Sequence, residues 1–189
     1  DSMNIFILSK DPVEAAQLQC DKHVVKMIVE SAQMLSTAHR MLDGYQEKRP
    51  SKSGKRMINY WVYPEPELEA YLYSAVHHGH PCTVWTMQTN ANYEWHYKHF
   101  IALCDEYTYR YGKVHATDTK LRNVLRKPPS GIKWSNLYTD FPLAMQHEPQ
   151  CMHEGDPVRS YQEYYQTKQA RFNMAWTNRP IPEWFNVAV

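Results

Sequence analysis

The sequence predicts an all-α fold, a compact single-domain helical bundle with long irregular loops. Three observations point there. Asp11-Pro12-Val13-Glu14 is a helix start, with Asp as N-cap, Pro in the first turn and Glu behind it. Val24, Met27, Ile28, Met34, Leu35 and Leu42 then recur at helical spacing until Asp43-Gly44 stops the run. A second long run, from about Cys82 to Tyr111, carries Trp85, Trp95, Phe100, Leu103 and Tyr107 and is closed by Gly112. With 189 residues the chain is long enough to bury one core without staples. Residues 3–189 are expected to form one helical domain, and Asp1-Ser2 before Met3 reads as a tag remnant.

The remaining elements follow in order. Asn4 to Leu8 is a short apolar run, a strand or an extended lead-in. The first helical region has a break near Cys20-Asp21. Residues 45–57, with Lys48, Arg49, Lys52, Lys55 and Arg56 among Pro, Ser and Gly, read as a mobile loop, either a phosphate-contacting arm or a solvated loop with no partner. A helix is expected from Pro66 to His78, a turn at Gly79-His80-Pro81, and a short basic helix from Thr117 to Arg126 that carries Lys120 and Arg122. Pro128-Pro129-Ser130-Gly131 opens an irregular stretch to about Asp156, and Asp156-Pro157 starts a last helix to about Ala170.

Composition narrows the class. A net charge of +1 excludes a non-specific nucleic-acid coat, so any such binding needs a local basic face. The four Cys are scattered without a CxxC pair and read as free thiols of a reducing compartment. No run is long and apolar enough for a membrane, and the N-terminus lacks a signal-peptide layout. The expectation is a cytoplasmic monomer with no membrane partner.

The chemistry-bearing pattern is Lys22, His23, Lys26 and Glu30. On a helix Lys22, Lys26 and Glu30 are successive i,i+4 neighbours, and His23 lies two turns before Glu30 on nearly the same side. Two amines, an imidazole and a carboxylate thus share a stripe suited to acid–base work. By spacing alone the stripe reads as a surface helix face with a Lys–Glu pair. The stripe continues through Gln33, Thr37 and Arg40, a polar row able to line a cleft. His77, His78, His80 and Cys82 lack the paired spacing of a zinc site, so no metal is expected. There is no GxSxG elbow. Tyr107, Tyr109 and Tyr111 with Arg110, and Tyr161, Tyr164 and Tyr165 with Lys168 and Arg171, mix aromatic and basic residues. They suit base stacking beside phosphate contacts, or a Tyr-filled core with surface cations.

These residues resemble the pyrimidine-dimer DNA glycosylases of the endonuclease V type, found in phages and bacteria. His23 and Glu30 fit the family's His and Glu seven apart on its first long helix. Lys22, Lys26 and Glu30 are similar to a Lys/Lys/Glu row in its bacterial members. Gly79-His80-Pro81 and Arg110-Tyr111-Gly112-Lys113 resemble two further segments, and Tyr164-Tyr165 with Lys168 loosely resembles the C-terminal aromatic-basic run. The chain is also similar to small marine-phage proteins of unassigned function.

The resemblance implies a helical DNA glycosylase/lyase of phage origin that needs no cofactor and uses an amine with Glu30. The family's phage enzyme exposes a Thr amine. Here Asn4 follows Met3, so the amine is that of Met3, Lys22 or Lys26. His23 would orient Glu30 or touch phosphate. Arg40, the 45–57 cations, His80, Arg110, Lys120, Arg122 and Lys168 would hold the DNA. Two other readings remain: an enzyme that modifies or exchanges DNA bases on the same scaffold, and a non-catalytic DNA-binding phage protein.

Overall fold

The computed structural model describes residues 3–188; the expected tag remnant, Asp1-Ser2, lies outside the described residues. The fold is predominantly helical with one small sheet. In order it comprises α1 (Pro12–Gln17), α2 (Asp21–Asp43), β1 (Tyr45–Pro50), β2 (Met57–Val62), α3 (Pro66–Tyr71), α4 (Pro81–Gln88), α5 (Asn90–Tyr111), α6 (Ala116–Leu121) and α7 (Pro157–Thr167). Single 3-10 turns cover Pro149–Cys151 and Lys168–Ala170.

The 23-residue α2 is the axis, packed against α4, α5 and α6, while α1 packs on α5. Val24, Met27, Ile28, Met34 and Leu35 are all buried as their spacing predicts. At about 1.5–3 kcal/mol per buried side chain, this stripe contributes on the order of 10 kcal/mol before conformational entropy is subtracted. Asp11 caps α1 by accepting the Val13 N–H at 3.0 Å, with Pro12 in the first turn. The break before α2 falls where expected.

Residues 45–57 are not a loop. They form β1 and the turn of an antiparallel hairpin in which Tyr45 pairs with Val62 and Lys48 with Asn59. The strand formers Ile58, Tyr60, Trp61 and Val62 supply the second strand, so the mixed composition of the first half hid a sheet that its partner specifies. Gly54, at φ +72°, turns the tip, and Arg49 stacks on the Tyr60 ring at 3.9 Å. The purely α expectation is corrected accordingly.

Three helices are shorter than their patterns. The expected 66–78 helix ends at Tyr71, because the Leu72 and Tyr73 carbonyls each turn to a buried guanidinium, Arg40, at 2.7 Å. The expected 82–111 helix is two: Thr89 is extended (φ −145°, ψ 159°), and its hydroxyl accepts the Asn92 N–H at 3.0 Å, capping α5 afresh. The basic helix expected to Arg126 ends at Leu121. All four cysteines are free and buried. Among the described residues no helix is long and apolar enough to cross a membrane.

Candidate functional site

Segment 3–8, the first half of α2, the turn before α4 and the end of α7 meet around Glu30. The extended segment is shaped by Asn4, whose Oδ1 accepts the N–H groups of Ile5 and Phe6 at 2.8 and 3.0 Å. Its Nδ2 donates to the Ala144 carbonyl at 3.0 Å. This local bonding forces Phe6 to φ +57°, a conformation that costs a non-glycine residue about 1–3 kcal/mol. The Asn4 backbone N–H then points at Glu30 Oε1, 3.3 Å away.

Glu30 is nearly buried, and its second oxygen lies 3.7 Å from Lys26 Nζ. Burial raises the carboxyl pKa, and the charge of Lys26 with the Asn4 N–H offsets only part of that rise. His77, also at a left-handed φ (+47°), acts on Glu30 through its charge. His80 closes this side of the site. Its Nδ1 accepts the Cys82 N–H at 3.0 Å and so caps α4, and its other face interacts with the Met3 carbonyl. Burial, then the charge of His77, lowers the His80 pKa. Met3 is buried here, and its sulfur accepts from the Thr83 hydroxyl at 3.8 Å. Two of the three non-glycine residues with positive φ among the described residues therefore adjoin the Glu30 cluster.

His23 is the second centre. Its ring stacks on Phe6 (4.5 Å between centroids, 15° between planes) and its Nδ1 bonds the Tyr165 hydroxyl at 2.8 Å. Burial, joined by the charges of Lys168, Lys26 and Lys22, pushes its pKa down to about 3. Lys22 sits over the Phe172 ring at 4.4 Å. His23 is thus a neutral imidazole on which three lysine charges act, and its ring nitrogen bonds Tyr165, whereas Glu30 is met by Asn4 and Lys26.

Lys168, read from the sequence as a phosphate contact, is buried instead. It donates to the Tyr164 hydroxyl at 3.0 Å and lies 4.5 Å over that ring. Burial lowers its pKa, helped by the charges of Arg171 and Lys26. The i,i+4 spacing of Tyr164 and Lys168 was legible, but its depth was not. Asn4, Phe6 and His77 went unnoticed as site residues because their roles depend on contacts far along the chain.

Other expected DNA contacts have structural employment. Arg40, 1% exposed, donates to the carbonyls of Trp61, Leu72 and Tyr73 and pairs with Glu69. The segment that runs from Leu72 toward His80 covers the Thr37–Arg40 part of the polar row, so that part lines no open cleft. Arg110 is buried between Glu106 and Asp21, and Arg122 pairs with Asp118 and Asp105. The cations at positions 48, 52, 55 and 56 do stand on the hairpin surface, and Lys120 lies 5.0 Å over the Tyr73 ring. Among the described residues no three His, Cys, Asp or Glu side chains are grouped to hold a metal ion. No protein-family model, curated protein or solved structure matches this chain.

Proposed function

We propose that the chain is a DNA glycosylase/lyase-type enzyme that acts on damaged or modified pyrimidines with Glu30 and an amine. The observation that carries this reading is the environment of Glu30. A carboxyl that burial keeps protonated to higher pH lies 3.7 Å from a primary amine, within a patch of further lysines. A protonatable carboxyl beside a nucleophilic nitrogen and an anion-attracting rim is the set that imine chemistry on a sugar phosphate requires.

The step balances as follows. Glu30 carboxylate takes a proton from the Lys26 ammonium. The freed nitrogen attacks sugar C1′, the new N–C1′ bond forms as the base–C1′ bond breaks, and the Glu30 carboxyl returns the proton to the departing base. Glu30, now a carboxylate, takes a proton from the attached nitrogen and delivers it to O4′ as the C1′–O4′ bond breaks, which leaves the opened sugar as an iminium. Loss of a C2′ proton to Glu30 expels the 3′ phosphate. The exposed Lys22 favours the phosphates electrostatically. The amine of a chain that starts at Met3 is the alternative nucleophile, since the Asn4 nitrogen already touches Glu30.

Borohydride trapping tests this reading. The wild-type chain and a form starting at Met3, each incubated with abasic and pyrimidine-dimer DNA, should yield a covalent adduct whose peptide map names the nitrogen. Glu30→Gln should cut adduct formation at least 100-fold and leave the fold intact, because an amide also accepts the Asn4 N–H. Absence of adduct from both forms on every substrate overturns the imine route. Release of free base without strand scission would assign base exchange.

A further inference from the structure

The cations of this chain are unevenly placed. Residues 44–64 and 119–139 together carry ten of the 21 Lys and Arg but one of the 20 Asp and Glu, so the rest of the chain is acidic. The two stretches meet at the C-terminal end of α2. There Asp43 accepts the N–H groups of Ser130 and Gly131, both at 2.7 Å, and the hairpin leaves two residues later. Arg49 and Arg122 are neutralised by Glu47 and by Asp118 with Asp105. Lys52, Lys55 and Arg56 at the hairpin tip, and Arg126, Lys127 and Lys133 on the loop, remain exposed, with Glu65 lining a cavity beside them.

Just past Lys133 the same loop presents apolar surface to water. Trp134 is 73% exposed and Leu137 78%, with Tyr138 next to them. Such side chains are unfavourable in the open, yet the backbone beneath them is pinned. Asn90 donates its N–H to the Lys133 carbonyl at 3.1 Å and accepts the Ser135 N–H on its side chain at 2.6 Å. The Ser135 hydroxyl donates to the Leu137 carbonyl at 2.9 Å, and Asn92 accepts the Thr139 N–H at 2.8 Å. The loop is held in shape while its indole faces solvent, which is a preorganised contact and not a loose end.

We propose that this end of the molecule binds unpaired nucleotides, with Trp134 stacking on a base and Arg126, Lys127 and Lys133 of the same loop taking the flanking phosphates. Aromatic faces flanked by positive charge are the recurrent means of holding single strands, and a base inside a duplex offers no free face. A second copy of the chain is disfavoured as occupant, because like charge would oppose like across the contact. The site shares its polymer, not its chemistry, with the Glu30 reading. The 13 residues of α2 between Glu30 and Asp43 set the two about 20 Å apart.

Fluorescence anisotropy with labelled 12-nucleotide single strands of DNA and of RNA, and with the corresponding DNA duplex, tests this. The single strands should bind more tightly than the duplex. Trp134→Ala should weaken them about 10-fold and Trp134→Phe less than 3-fold, with circular dichroism unchanged in both variants. The Trp134→Ala loss should be equally large in a Glu30→Gln background, which separates failure here from failure of the catalytic reading. Equal single-strand affinity of Trp134→Ala and wild type overturns the proposal. So does Trp134-dependent binding to phosphatidylserine vesicles without oligonucleotide binding, or Trp134-dependent dimerisation in sedimentation.

Discussion

Lowering the pH from 8 to 5 should unfold much of this protein, and buried imidazoles set the size of the effect. His23 is held at about 3, and His39 and His99 at about 4, each chiefly by burial against an ordinary value of 6.5. The hydrogen bonds of His39 and His99 fix which ring nitrogen carries the proton, and burial keeps the rings neutral. Tyr93 gives its proton to the Leu125 carbonyl at 2.6 Å, so it accepts from His39 Nε2. His99 donates from Nδ1 to the Pro12 carbonyl and accepts from the Gln19 amide on Nε2. A proton on that last nitrogen would face a donor.

Between the folded and unfolded values only the unfolded chain binds the proton, so stability is full above pH 6.5 and falls below it. At pH 5 each imidazole costs about 2 kcal/mol, and the three together about 6 kcal/mol. His96, driven well below its ordinary value by burial, adds in the same direction. Glu30 works the other way, because its folded carboxyl keeps a proton to higher pH than the unfolded one and so gains on acidification. A loss of about 6 kcal/mol is comparable with the 5–15 kcal/mol that holds a typical domain. Urea unfolding followed by circular dichroism at pH 8, 7, 6 and 5 measures it. The midpoint should change little from 8 to 7 and drop steeply from 6 to 5. His99→Gln should remove about 2 kcal/mol of that pH dependence. A midpoint that stays flat from 8 to 5 refutes the assignment of neutral, buried histidines.

Two stability predictions bear on residues that sequence alone linked to DNA or to a helix stop. Arg40→Met should cost about 3–5 kcal/mol in urea unfolding, because it strands the Glu69 carboxylate and four carbonyls, whereas Arg56→Ala at the hairpin tip should stay within about 0.5 kcal/mol. Equal effects would return Arg40 to the surface. Gly44→Ala should cost about 3 kcal/mol or more, since a Cβ there would stand 2.2 Å from the Arg40 carbonyl oxygen and 2.3 Å from that of Val62, both backbone atoms unable to yield. An unchanged thermal midpoint would show that the hairpin can shift away from α2.

The first and last helices and the long central one were legible because their signals are local. A cap, a proline and an apolar residue every third or fourth position each act over one or two turns. The same locality put Lys22, His23, Lys26 and Glu30 on one stripe. It gave the Lys26–Glu30 pair, but not the hydrogen-bond partner of His23. The hairpin escaped because β1 is polar and becomes a strand through partners on β2, from Met57 opposite Pro50 to Val62 opposite Tyr45. Arg40, Arg110 and Lys168 look in sequence like any exposed cation. What distinguishes them is depth, which is set by the segments that fold over them.

Composition and periodicity determined by themselves that this chain is mostly helical, that α2 carries an acid–base stripe and that its cysteines are not paired by spacing. Tertiary structure alone decided that Asn4, 26 positions before Glu30, brings a backbone N–H to that carboxyl. It likewise decided that the charges of three lysines act on one neutral imidazole and that Trp134 faces water on a pinned loop. The physical reason is one of range. Helix signals are written within a turn, whereas burial, and with it every shifted proton affinity described above, depends on which distant residues exclude water.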